Sequence, residues 1–231
     1  MRKLTILTMI CATLAFAAWA HADGGTISGT VKLDGAAPAP KQIEISKDKE
    51  VCGLNPHFDQ ALVVGSGGGI QFAVVSLTDA KGPTTPETVK FDQKGCQYVP
   101  HVLAFPVGST VQVTNSDGIL HNIHTYSEKN PPFNMAQPKF KKVITVQPDQ
   151  LKNPEVIKVT CDAHGWMKGW WFVAGNPYYA VTDASGHYTI KDVPPGDYTI
   201  EVWQEKLGTS DQKVSVKAGA PATVDFTLKQ K

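Results

Sequence analysis

The run Cys161-Asp162-Ala163-His164-Gly165-Trp166-Met167 sets a thiol, an imidazole and a thioether at the spacing C-x2-H-x2-M. Forty residues upstream, His121-Asn122-Ile123-His124 supplies two more imidazoles. Thiolate and thioether are soft donors suited to Cu(I), and imidazole also serves Cu(II). Two His and one Cys with a weakly held Met therefore suit both oxidation states of copper. A donor set that need not rearrange between those states lets one electron pass with little reorganisation. Zinc also enters Cys/His2 sites, but the thioether, which zinc does not need, tilts the choice to one copper ion held by His121, Cys161, His164 and Met167.

Such donors must be carried by strands, because the hydrophobic period is two almost everywhere. Ile157, Val159 and Cys161 fall on one face of a strand, so the thiol continues an apolar row. Met167 shares parity with Trp171 and Val173, and His121 shares a face with Ile123. His124 points the opposite way, which places it outside the ligand set. Further short strands are expected at 26–33, 70–77, 111–114, 143–146, 156–160 and 170–173, then at 178–182, 187–190, 198–203, 214–216 and 224–228. Turn-formers separate them and no convincing amphipathic helix intervenes, so the chain is expected to be all-β and of sandwich type. Val64-Gly65-Ser66-Gly67-Gly68-Gly69 is read as a flexible turn and Lys81–Pro86 as a Pro-rich surface loop. The glycines form no phosphate cradle, since no Gly-Lys-Ser/Thr follows them.

The first 22 residues have the form of an export signal: Met1-Arg2-Lys3, an apolar run from Leu4 to Ala20, then Ala20-His21-Ala22. Its removal would take Arg2 and Lys3 and no acid, so 20 basic against 21 acidic side chains would leave a charge of −1. The near balance excludes a nucleic-acid binder working through a broad cationic face. No later apolar run is long enough to span a membrane, so an exported or periplasmic protein with no membrane span after signal cleavage is expected.

Of four cysteines, Cys11 lies in the leader, leaving Cys52, Cys96 and Cys161. In an oxidising compartment two can pair, and Cys52 with Cys96 are the candidates, leaving Cys161 for metal. There is no H-x-H pair for a trinuclear copper cluster, no C-x3-C for a dinuclear copper centre and no C-x-x-C-H for covalent haem. His57, His101 and His187 are read as ordinary packed or surface histidines. Asp117, Asp183, Asp192 and Asp197 are read as turn residues.

Residues 86–174 resemble a cupredoxin, the type 1 or blue copper fold, with an amicyanin-like ligand loop. The matching parts are Val107-Gly108-Ser109-Thr110-Val111 leading into Asn115-Ser116-Asp117, then His121-Asn122-Ile123, then the Cys161–Met167 loop. The resemblance implies a Greek-key sandwich with His121, Cys161 and His164 as equatorial ligands and Met167 as the axial one. It also implies that Asn122 ties the two ligand loops together by hydrogen bonds, and that His164 lies near the surface where electrons enter or leave. Gly165 and Trp166 stand where the similar loop has Pro and another aromatic, and the glycine is expected to loosen the loop.

A second resemblance is carried by Thr182-Asp183-Ala184-Ser185-Gly186-His187-Tyr188 and Pro194-Pro195-Gly196-Asp197-Tyr198. These turns are similar to those of the carboxypeptidase regulatory-like domain, a small transthyretin-like (Ig-like) β-sandwich. Gly25-Thr26-Ile27-Ser28-Gly29-Thr30-Val31 and Ala73-Val74-Val75-Ser76-Leu77 fit that family's opening strands. The expected organisation is a signal at 1–22, a cupredoxin domain at 86–175, and residues 23–85 joining 176–231 in one discontinuous domain; the alternative has the N-terminal strands extending the copper-domain sheet. The expected function is one-electron transfer between redox proteins that dock transiently, with no catalytic residues and no enzymatic activity. The alternative is a copper-binding protein that stores, delivers or senses the ion.

Overall fold

A computed structural model describes residues 24–230. The expected signal at 1–22 lies outside them. The chain is all-β, and its strands form two packed sandwiches, each around its own apolar cluster.

One sandwich pairs a four-stranded sheet, in the order Val143–Val146, Thr110–Asn115, Thr88–Lys94, Gln97–Val99, with a five-stranded sheet. The order in the second is Asn134–Gln137, His121–Tyr126, Glu155–Thr160, Lys168–Ala174, Val102–Pro106. Two pairings, Thr88–Lys94 with Thr110–Asn115 and Val102–Pro106 with Lys168–Ala174, are parallel, because the connections cross from sheet to sheet. Alternation does the sorting. Val111, Val113 and Asn115 point inward while Thr110, Gln112 and Thr114 are only partly covered. Trp171 fills the centre, its ring edge-on to Phe91 and Phe105, and Phe91 stacks on Tyr98 at 4.9 Å between centroids.

The other sandwich is assembled from distant parts of the chain. Gly25–Asp34 lies antiparallel to His187–Val193 and parallel to Pro221–Thr223 and Phe226–Lys229. Val74–Leu77 lies between Tyr179–Val181 and Gly196–Gln204, and Gly208–Val216 closes that sheet. Ile27, Val31, Leu33, Val75 and Leu77 share one core with Tyr188, Ile200, Val202 and Phe226.

The strands Thr88–Lys94, Gln97–Val99, Val102–Pro106 and Asn134–Gln137 are not among those expected from the sequence, and three local features differ as well. Between residues 70 and 77 the strand is interrupted at Phe72, whose φ of 65° is left-handed, giving Ile70–Gln71 and Val74–Leu77. The glycine run at 65–69 forms a turn whose two ends pack closely against the 184–185 backbone. A Cβ at Gly69 would meet the Ser185 carbonyl oxygen at 1.9 Å, and one at Gly65 the Ala184 oxygen at 2.1 Å, so glycine is needed there for backbone to approach backbone. Finally, not all of residues 23–85 joins the second sandwich. Ile45, Val51 and Cys52 pack into the Trp171 core, and Lys49–Cys52 forms a single helical turn there. Four residues are too few to show an amphipathic period, which is why the turn was invisible to pattern reading.

Glu155 begins the strand leading to Cys161 and holds the turn beside it. Its carboxylate accepts from the Ser127 hydroxyl, the Glu128 and Lys129 N–H groups and the Asn130 amide. Burial pushes this carboxyl up, but those hydrogen bonds outweigh it and hold the pKa below the ordinary glutamate value. A depressed folded-state pKa contributes stability that is complete above the unfolded value of about 4.3 and is lost as pH falls through the folded value. Glu155→Gln is therefore expected to cost roughly 1–3 kcal/mol at pH 7. It should also flatten the fall of stability below pH ~5, as read from urea midpoints across pH.

Candidate metal centre

Three strand ends converge at one edge of the first sandwich. Cys161 follows Glu155–Thr160 directly, so the inward parity of Ile157 and Val159 delivers its thiol to the core. His121 opens the neighbouring strand after a tight turn. In that turn Asn115 Oδ1 accepts the N–H groups of Asp117 and Gly118, and its Nδ2 donates to the Ile119 carbonyl. The loop from Cys161 to Met167 is closed on itself: Met167 N–H donates to the His164 carbonyl at 2.9 Å, and Cys161 N–H to the Met167 carbonyl at 3.3 Å. Asn122 reaches across, its Oδ1 accepting from Asp162 N–H at 2.7 Å and Ala163 N–H at 3.3 Å, while its Nδ2 donates to Asn134. These bonds fix the loop despite Gly165, and Trp166 adds another by donating its indole N–H to the Cys96 carbonyl.

His121 Nδ1 and His164 Nδ1 lie 3.0 Å apart, and the Cys161 sulfur is 3.8 Å from each. All three side chains are buried. Met167, also buried, is placed at the end of the same loop. His124 lies apart, on the outer face, about one-third exposed and paired with Asp162.

The outer nitrogen of each imidazole meets a carboxylate. His121 Nε2 is 2.9 Å from Asp117 Oδ2, and His164 Nε2 is 2.7 Å from Asp48 Oδ2. A carboxylate accepts only, so each ring carries an N–H on Nε2 and turns its Nδ1 toward the other ring. A proton on the Nδ1 of one ring bridges the 3.0 Å gap to the other, and once it leaves, two lone pairs and a sulfur face one common point. The distances fit a metal ion. With bonds of about 2.0 Å to nitrogen and about 2.3 Å to sulfur, donors up to about 4 Å apart can share one centre.

Electrostatics agree. Burial alone would lower His121, but the hydrogen bond it donates to the Asp117 carboxylate and the neighbouring Cys161 sulfur overcome it and carry the imidazole pKa up to about 9. Asp117 is itself raised by burial and lowered more strongly by His121 and by the N–H groups of Cys96 and Gly95, with a net downward shift. For His164 burial lowers the pKa, and the Asp48 carboxylate only partly offsets it against repulsion from His121. The pair thus holds at most one positive charge easily, on His121, and any metal cation binding there would have to displace that proton.

A second grouping, Cys96 with Asp117 and His121, has the spacing of a metal site but not its chemistry. The Cys96 sulfur is bonded to Cys52 and has no thiolate to offer. His101 is engaged by Glu205, which also accepts from Trp170 at the junction of the two sandwiches; His57 bonds the Cys52 carbonyl; and His187 is an exposed residue opening the strand His187–Val193.

Asp117 and Asp48 were missed from the sequence. Asp117 could have been found, since it stands four residues before His121 on the other side of a Gly turn. Asp48 could not, being 116 residues from its partner. The resemblance implies His164 near the surface; here its ring is covered, with the partly exposed Asp48 carboxylate against its outer nitrogen.

Residues 173–229 match the family model of the carboxypeptidase regulatory-like domain. Solved structures similar to part of the chain include a novel purple cupredoxin from Nitrosopumilus maritimus, 23% identical over 37% of this chain and 99% of that one, with a TM-score of 0.31. An oxidized amicyanin mutant is 18% identical over 43% of this chain and 98% of its own, with a TM-score of 0.33. A Cu-containing nitrite reductase from Thermus scotoductus SA-01 is 22% identical over 43% of this chain, with a TM-score of 0.34, and the chain spans only 25% of its length. No curated protein matches the chain in sequence. Among the described residues no helix is long and apolar enough to cross a membrane.

Proposed function

We propose that this protein is an exported type 1 copper protein that carries one electron at a time between redox partners. In this reading His121, Cys161 and His164 would hold the copper ion with Met167 as a weaker fourth donor, and residues 1–22 are a cleaved export signal. The copper domain is residues 86–175 with the 45–52 segment packed on it, and the remaining N-terminal strands join 176–231 as the carboxypeptidase regulatory-like sandwich. The observation that carries this reading is the convergence of two Nδ1 atoms and one thiol at 3.0, 3.8 and 3.8 Å, with both outer nitrogens tied down. Copper would supply the redox-active orbital. The chain's own part is to fix the imidazole tautomers through Asp117 and Asp48, hold the thiolate at a strand end, and exclude water from all three donors.

The test is direct. Protein loaded with Cu(II) should become intensely coloured through thiolate-to-metal charge transfer and bind one ion per chain. Cyclic voltammetry should then give a reversible one-electron wave. A colourless complex would overturn the type 1 reading; colour with slow, irreversible waves would favour a protein that stores or delivers copper.

A further inference from the structure

Asp48 breaks a local rule. It stands at the N-cap of the Lys49–Cys52 turn, where an aspartate ordinarily accepts a hydrogen bond from the first backbone N–H groups of the helix, yet its side chain makes no capping bond. Its backbone is held at φ 50°, ψ 44°, a left-handed conformation that Asp and Asn tolerate better than other side-chain-bearing residues. The side chain is spent instead on His164, at 2.7 Å. Strain of this kind persists only where the surroundings over-determine it, and here they do. Val51 and Cys52 donate backbone N–H groups to the Asp48 carbonyl, His57 bonds the Cys52 carbonyl, and Lys47 reaches the Ala163 carbonyl in the ligand loop. The Cys52–Cys96 disulfide then fastens the helical turn to the Gly95-Cys96 hairpin turn, whose Cys96 N–H holds Asp117. One cross-link thus joins the segments behind both carboxylates.

We infer that Asp48 is a positioning residue of the metal centre: it fixes His164 with its N–H on Nε2, closes the outer edge of that imidazole, and biases the site toward the more highly charged state of the ion. The inference rests on the copper reading above. A negative charge on the far nitrogen of a ligand makes the imidazole a stronger donor and attracts the divalent state more than the monovalent one. Partners docking over the site meet the 45–53 segment and the partly exposed Asp48 carboxylate, not the ring itself.

The decisive variant is Asp48→Asn, which preserves size, tolerance of the left-handed backbone and the ability to accept from His164, and removes only the charge. Cu(II) affinity should fall about tenfold relative to Cu(I), and the reduction potential should therefore rise by about 59 mV for this one-electron couple. Asp48→Glu should recover part of that shift. A potential unchanged in Asp48→Asn while the charge-transfer band persists would overturn the role, because a merely structural residue would alter stability and not potential. A second readout needs no copper. Nitrogen chemical shifts of His164 in the apoprotein should report Nε2–H in the wild type and a mixture of tautomers in Asp48→Ala. An identical tautomer in both would overturn the positioning role. Absence of any charge-transfer band in the wild type would instead count against the copper reading alone, with the apoprotein shifts still deciding what Asp48 does to His164.

Discussion

Replacing Cys161 by serine is expected to abolish the visible charge-transfer absorption of the copper-loaded protein completely and to cost it most of its affinity for Cu(I). Cys161 is the only free cysteine among the described residues, so no other thiolate can take its place. A hydroxyl is a hard donor that stays protonated at neutral pH, which leaves the site two imidazoles and a thioether. The fold should survive. The loop is closed by backbone bonds and by Asn122, none of which uses the sulfur. A buried hydroxyl with poor partners costs about 1–3 kcal/mol. Far-ultraviolet circular dichroism would verify the fold while absorption and copper titration read the site. A visible band of wild-type strength in Cys161→Ser would place the metal elsewhere. Met167→Leu keeps both imidazoles and the thiolate, so its colour should remain while its potential moves.

The largest loss of stability is expected from removing the Cys52–Cys96 cross-link. The two cysteines are 44 residues apart, and closing such a loop in the unfolded chain is worth about 4 kcal/mol on the entropy model. That loop has an unusual course. The chain leaves the Trp171 core at Cys52, gives Val74–Leu77 to the other sandwich, and returns at Thr88 to begin the four-stranded sheet of the first sandwich. Losing the bond therefore frees a segment that visits both cores. The double variant Cys52→Ala/Cys96→Ala should unfold at a markedly lower urea concentration than the wild type, and reductant should have the same effect on the wild type only. The consequence at the site is more specific. With the helical turn released, Asp48 should lose its hold on His164, so the potential should move upward, as in Asp48→Asn. A stability loss under about 1 kcal/mol would show that the cross-link constrains little of the unfolded chain.

Much of the site could be read in advance because its donors lie near one another in sequence or follow strand parity. C-x2-H-x2-M is a single loop, and the inward row of Ile157 and Val159 points to Cys161 without coordinates. The same period separated His121 from His124, which the structure places inside and outside respectively. The glycine run at 65–69 went the other way. Its composition suggested freedom, while its function is close contact with the Ser185 and Ala184 carbonyls, a relation between segments that composition does not encode.

By itself the sequence determined the all-β class, the turn chemistry of the carboxypeptidase regulatory-like part and the thiol, imidazole and thioether types of the candidate donors, because each depends on residues within a few positions of one another. Only the tertiary structure decided that a one-turn helix from the N-terminal part would lie over His164 and that Asp48 and Asp117 would each engage an imidazole. The physical reason is separation along the chain. Asp48 and His164 are 116 residues apart, and what brings them together is the packing of Ile45, Val51 and Cys52 into a core made by other strands, which leaves no periodic or local signal to read.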